Sequence, residues 1–180
     1  MSNTSTTSAG RASQQAELLR RREKLLGKNT PLFYDQPLHL VRGQGVHLYD
    51  VNGHEYLDVY NNVANVGHCH PRVVAALSGQ ASTLNIHTRY LHEAILDYAE
   101  NLTSTFADPL STVMFTCTGS EANDLALRVA RHATGAMGII CTRETYHGNT
   151  SAVDELATLF RAGEAVGAHV KSVPFPDGYR

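Results

Sequence analysis

STVMFTCTGSEANDLALRVARHATGAMGIIC, residues 111–141, decides the fold. Residues 111–117 form a short apolar run rich in β-formers, and the turn Thr118-Gly119-Ser120 follows. The segment EANDLALRVARH then carries apolar residues at helical spacing, with Ala122, Leu125, Ala126, Val129 and Ala130 as its buried stripe. A second apolar run, 137–141, closes the unit. Both runs are continuous rather than alternating, the pattern of strands covered on two faces. The reading is therefore a βαβ unit of a parallel sheet. A third strand is expected in HVKSVPF, 169–175, after a helix within 152–166.

The turn carries the chemistry. Thr118 with Glu121 three residues on makes a capping box. Acidic Glu121 and Asp124 near the helix start, and Arg128, Arg131 and His132 further along, suit the helix dipole. The amides at such a helix start point outward, Gly119 permits close approach, and the Thr118 and Ser120 hydroxyls add donors. A phosphate group fits there, outside the carboxyl end of a parallel strand. A capped helix that binds nothing is the competing reading. The turn is neither a P-loop, having no Gly-Lys-Ser/Thr, nor a GxGxxG fingerprint. Tyr146-His147-Gly148 follows the second strand at the same end of the sheet. There a ring and an imidazole can face a flat ligand whose phosphate the first turn holds. Otherwise Tyr146 is a partly buried loop aromatic. Cys117, beside the turn, reads as a small buried residue at a strand end rather than a nucleophile, since no base pairs with it.

Outward from this unit, residues 38–59 alternate over short runs, with Asn52-Gly53 as a hairpin signal, so an antiparallel meander is expected. Pro71 opens a helix over PRVVAALSGQAS, and residues 91–106 form another that stops before Asp108-Pro109. Residues 1–13 are almost devoid of apolar side chains and read as a disordered tail. Residues 14–70 then make a helix and β-meander subdomain, and 71–180 the first part of a large domain. The Ser/Thr-rich start followed by Arg20, Arg21 and Arg22 permits an organelle transit peptide. A solvated helix with Leu18, Leu19, Leu25 and Leu26 as its apolar stripe is preferred, with a cytoplasmic address.

The balance of 15 Lys+Arg against 17 Asp+Glu, net charge −2, gives no electrostatic footprint for nucleic acid. No apolar stretch approaches the roughly 20 residues of a membrane span. Neither nucleic acid nor membrane is expected as a partner. His68-Cys69-His70, with His87 and His92, raises a metal-binding module. No second ligand pair stands at i, i+4 spacing, so no metal is assigned, and His68 and His70 are expected to shape the loop before the Pro71 helix.

Taken in order, Gly-His-x-His-Pro at 67–71, Gly-Ser-Glu-Ala-Asn at 119–123, Tyr-His-Gly at 146–148 and Pro-Asp-x-Tyr-Arg at 176–180 resemble the class-III pyridoxal-phosphate-dependent aminotransferases. NVANVGHCHP, RYLH and GSEANDLALRVARH look most like the branch of alanine-glyoxylate aminotransferase-like enzymes and ethanolamine-phosphate phospho-lyases. The resemblance implies an α/β, fold-type-I domain. Its sheet would be mainly parallel with helices on both faces, incomplete here, and preceded by a small N-terminal α+β subdomain.

It further implies pyridoxal 5′-phosphate as cofactor. Thr118, Gly119 and Ser120 would hold the phosphate, Tyr146 would stack on the ring, and His147 would lie beside it. Asn62 and Val63 would border the substrate pocket, often across a homodimer interface. The partners would be a small-molecule amino donor and an oxo-acid acceptor. The family's Schiff-base lysine does not match Lys24, Lys28 or Lys171, the three lysines present. The chain thus reads as the N-terminal part of a longer enzyme, with no catalytic residue within it, and inactive by itself. Transamination is the expected reaction of the full-length parent. A phospho-lyase acting on an amine phosphate such as phosphoethanolamine is the alternative. A truncated, non-catalytic interaction partner is the alternative of another class.

Overall fold

The computed structural model describes residues 8–60, 64–159 and 166–179. The chain divides into two compact units, Met1–His87 and Thr88–Arg180. The division falls after the helix that opens at Pro71, not before it.

The first unit begins with α1 (Ser8–Leu26). It starts inside the segment 1–13 expected to be tail, because a helix satisfies its own backbone without burying a side chain. Its Leu25 and Leu26 are exposed, and Glu17 pairs with Arg20 at 2.8 Å one turn on. Gln15 Nε2 donates to the Pro37 carbonyl at 2.6 Å, tying the helix to the loop before the meander.

The expected meander is present: β1 (Leu40–Gln44), β2 (His47–Asp50) and β3 (Glu55–Leu57) pair antiparallel in that order. The β2–β3 turn is organised by Asp50, the buried charged residue of this unit. Its Oδ1 accepts from the Asn52 and His54 amides at 2.8 and 2.9 Å, and its Oδ2 from Tyr56 OH at 3.2 Å. His54 Nδ1 lies 3.0 Å from Oδ2. Burial alone pushes this carboxyl up, but the hydrogen bonds outweigh it and hold Asp50 far below the usual carboxylate range. Gly53 closes the turn at φ +86°, as the Asn-Gly pair requires.

The Gly-His-x-His-Pro segment lies against this meander. Gly45 and His68 exchange both backbone hydrogen bonds, at 3.0 and 2.7 Å, and His68 Nε2 is 2.7 Å from Asp58 Oδ2 with both side chains largely buried. A Cβ on Gly67 would lie 2.9 Å from the Gly45 carbonyl oxygen, so glycine is required for the approach. His68 therefore does the structural work expected of it, fixing the loop that feeds α2 (Pro71–Thr83), with Pro71 in the first turn. Among the described residues no group of three or more His, Cys, Asp or Glu converges on one point.

The second unit holds α3 (Glu93–Thr103), α4 (Gly119–Thr134), β4 (Ile139–Thr142), the single-turn α5 (Ser151–Asp154) and β5 (Val170–Val173). β4 and β5 pair in parallel, Ile139 opposite Val170 through Thr142 opposite Val173. A parallel sheet was expected, and the pair observed joins the second apolar run to the third expected strand rather than to residues 111–117. Cys141, Leu156 and Val170 form the buried cluster, with Leu127 of α4, Ile139 and Val166 packed on it. Val153 and Ala157 are buried as well. α4 meets that cluster through Leu127, whereas Ala122, Ala126, Val129 and Ala130 of the expected buried stripe are exposed and Leu125 is half-buried, so the packed face of the helix is turned from the one its apolar spacing indicated.

One expected strand is corrected. Residues 111–117 are extended but make no ladder among the described residues. A strand needs a neighbour's amides and carbonyls, and no described segment pairs with it. It touches α3 instead, where Phe115 and Tyr98 stack with centroids 5.4 Å apart. No helix of the described residues is long and apolar enough to cross a membrane.

Candidate cofactor site at the start of the fourth helix

The N-terminus of α4 is built as the sequence indicated, with one shift. Thr118 is the N-cap in extended conformation, and its Oγ1 accepts from the Glu121 amide at 3.1 Å. Glu121 reaches past the cap and accepts from the Cys117 amide at 2.8 Å. The reciprocal bond of the capping box thus falls one residue earlier than the usual pattern. That contact draws the carboxylate back towards residue 117. At the other end Gly135 closes the helix at φ +68°, and its amide donates to the Arg131 carbonyl at 2.9 Å.

With the Glu121 amide capped, the amides of Gly119 and Ser120 precede the first intrahelical bond and have no acceptor within the helix. Nothing lies within 4 Å of where a Cβ on Gly119 would stand, so the face of the turn is open. The helix dipole adds positive potential there. Thr118 uses a lone pair in capping and keeps its proton for another acceptor.

The loop after β4 closes on this helix start. It is anchored by Thr145, whose amide donates to Thr158 Oγ1 at 3.0 Å and whose hydroxyl donates to the Thr142 carbonyl at 2.9 Å. Asn123 Nδ2 then donates to the His147 carbonyl at 2.7 Å. Ser120 Oγ donates to Asn149 Oδ1 and accepts from the Asn149 amide, both at 3.1 Å. Gly148 is buried between these contacts at φ +141°, and a Cβ there would come 2.6 Å from Ser120 Oγ. Only glycine permits the closure.

The start of α4, Thr118 to Ser120, and the backbone of His147 are thus brought together. Tyr146 precedes the contact by one residue and keeps its ring at the surface, 59% exposed. His147 Nε2 is buried with no hydrogen-bond partner among the described residues. Asn62 and Val63, expected at a substrate pocket, lie outside the described residues. The role expected of the Ser120 hydroxyl is altered, because its proton goes to Asn149 rather than standing ready for an anion. Sequence reasoning missed Asn149 and gave Asn123 no role of its own. Asn123 stood in the quoted Gly-Ser-Glu-Ala-Asn motif, one helical turn from the cap, and Asn149 directly follows Tyr-His-Gly.

An α/β unit with a parallel strand pair and an open, glycine-bearing helix N-terminus has the form of a phosphate-binding corner. The aminotransferase class-III family model matches residues 33–175, and the chain belongs to that family. It is 43% identical over 169 residues to an alanine–glyoxylate aminotransferase 2-like protein of Drosophila melanogaster, covering 92% of this chain and 34% of that one. It is 38% identical to ethanolamine-phosphate phospho-lyase homolog 1 of Caenorhabditis elegans, covering 98% and 39%. Among solved structures, a phospholyase from Arthrobacter in complex with phosphoethanolamine superposes with a TM-score of 0.85 at 48% identity, covering 89% and 38%. The chain therefore spans a third to two-fifths of the length of these relatives. The fold is that of the class-III transaminases, and one solved relative, a transaminase 26% identical with a TM-score of 0.74, has pyridoxal phosphate bound.

The residues present fit that group. The two outward amides and the open face at Gly119 offer donors and room in one place.

Proposed function

We propose that the start of α4 and the loop after β4 form the phosphate end of the active site in a pyridoxal-phosphate-dependent enzyme acting on a small primary amine or amino acid. The observation that carries this reading is the closure of residues 147–149 on the open N-terminus of α4. The amides of Gly119 and Ser120 hold the phosphate, and the Thr118 hydroxyl adds a donor. Tyr146 covers the ring, and His147 presents Nε2 beside it. These residues fix the cofactor's position. When bound, the cofactor withdraws electron density from the substrate carbon that bears the amine. The lysine that carries it belongs to another part of the full-length protein, which works as a homodimer.

Transfer of the amino group to an oxo-acid is the first reading, supported by the family as a whole. A second reading, elimination of phosphate and ammonia from an amine phosphate, is favoured by the 48% identity to the Arthrobacter phospholyase. Incubation of the full-length protein with phosphoethanolamine and no oxo-acid separates the two. Release of inorganic phosphate establishes the lyase. Its absence, with amino transfer to an added oxo-acid, establishes the transaminase. Neither reaction, in protein that holds no cofactor, refutes the proposal.

A further inference from the structure

We propose that Asn149 is a positioning residue that sets the direction of the Ser120 hydroxyl and so controls its use as a donor to the cofactor's phosphate. The inference rests on the reading that the phosphate lies at the start of α4. Ser120 Oγ carries one proton, and here that proton is given to Asn149 Oδ1 at 3.1 Å. The Asn149 amide occupies one of the oxygen's lone pairs from the other side, also at 3.1 Å. In this arrangement Ser120 cannot donate to an anion.

A carboxamide, unlike a carboxylate or a hydroxyl, presents a donor and an acceptor on one planar group. A half-turn about its last bond exchanges them. With Nδ2 in place of Oδ1, Asn149 donates to Ser120 Oγ, and the serine proton turns outward to a phosphoryl oxygen. The hydroxyl keeps its partners in both states, so neither leaves a polar atom unsatisfied. The loop does not depend on this side chain for its place. The Asn149 amide bond to Ser120, the Asn123 bond to the His147 carbonyl and the Gly148 contact all remain when the side chain is removed.

The test is a double-mutant cycle in the full-length protein, Ser120→Ala, Asn149→Ala and both together. Dissociation constants are measured by equilibrium dialysis for pyridoxal 5′-phosphate and for pyridoxal, which lacks the phosphate. Loss of a hydrogen bond to a charged group predicts about a tenfold or greater weakening for Ser120→Ala, and a smaller one, about threefold, for Asn149→Ala, where no Nδ2 donor then holds the serine proton outward. The double variant should bind no more weakly than Ser120→Ala, because Asn149 acts only through the serine. Pyridoxal binding should be unchanged throughout.

If Asn149→Ala binds like wild type while Ser120→Ala is weakened, the inference is overturned and the phosphate site stands. Additive losses, or equal losses for pyridoxal, make Asn149 a support of the loop and also overturn it. If Ser120→Ala itself binds like wild type, the phosphate reading fails and takes the inference with it.

Discussion

At Gly148 the backbone has a φ of +141°, and a methyl group would meet Ser120 Oγ at 2.6 Å and Ser120 Cα at 2.8 Å. The residue decides whether the loop after β4 can touch α4 at all. Replacing it with alanine combines an unfavourable backbone conformation with a contact that must open, at a cost of about 1–3 kcal/mol. Gly148→Ala should therefore lower the melting temperature of the full-length protein and weaken cofactor binding. Unchanged values for both would show that the loop is not held in this geometry. Gly119 is the contrasting case, with open space where its Cβ would be. The sequence singled out both glycines, yet the partner of Gly148 could not be read from it. Ser120 and Asn149 stand 29 residues apart, and only the path through β4 brings them together.

Capping at the start of α4 was legible because it is local: Thr118 and Glu121 act within one turn of the helix end they close. Thr118→Ala should cost about 1 kcal/mol and Thr118→Ser little, which chemical denaturation of the full-length protein measures. The β2–β3 hairpin makes a pH-dependent claim. Asp50 is held below its unfolded value, which is about 3.9. Its contribution is complete above that pH and is lost as the pH falls towards the folded value. Asp50→Asn should flatten that part of the acid limb of stability, and acid titrations of both proteins compare it. An unaltered acid limb would remove Asp50 from the account. Residues 111–117 show the opposite of local legibility. Their composition marks a buried strand, but a strand is completed by hydrogen bonds from a neighbour, and composition does not reveal whether that neighbour is at hand. The start of α1 at Ser8 has a related cause. Scarcity of apolar residues argues against packing, whereas a helix can form with its side chains in water.

Across the whole molecule, the apolar surface is under-covered. The accessible area is 15258 Å², whereas two separate domains of about 90 residues each would expose roughly 10,000 Å² between them. Val73, Val74 and Leu77 on α2, Leu96 and Tyr98 on α3, and Ile140 on β4 are exposed. Surface of this kind marks an interface, or a site of aggregation when left open. A polypeptide of residues 1–180 alone should bind a hydrophobic dye, self-associate and melt without cooperativity. A monomer with a sharp calorimetric transition would refute that expectation. The family-level resemblance was readable because its motifs sit in loops and caps whose residue types are fixed by backbone geometry. Substrate choice was not, since it depends on side chains gathered from distant segments. The most direct measurement is a crystal structure of the full-length protein with pyridoxal 5′-phosphate bound. The account predicts the phosphoryl oxygens within hydrogen-bond distance of the Gly119 and Ser120 amides. A phosphate held elsewhere, with that helix start facing only water, would contradict it.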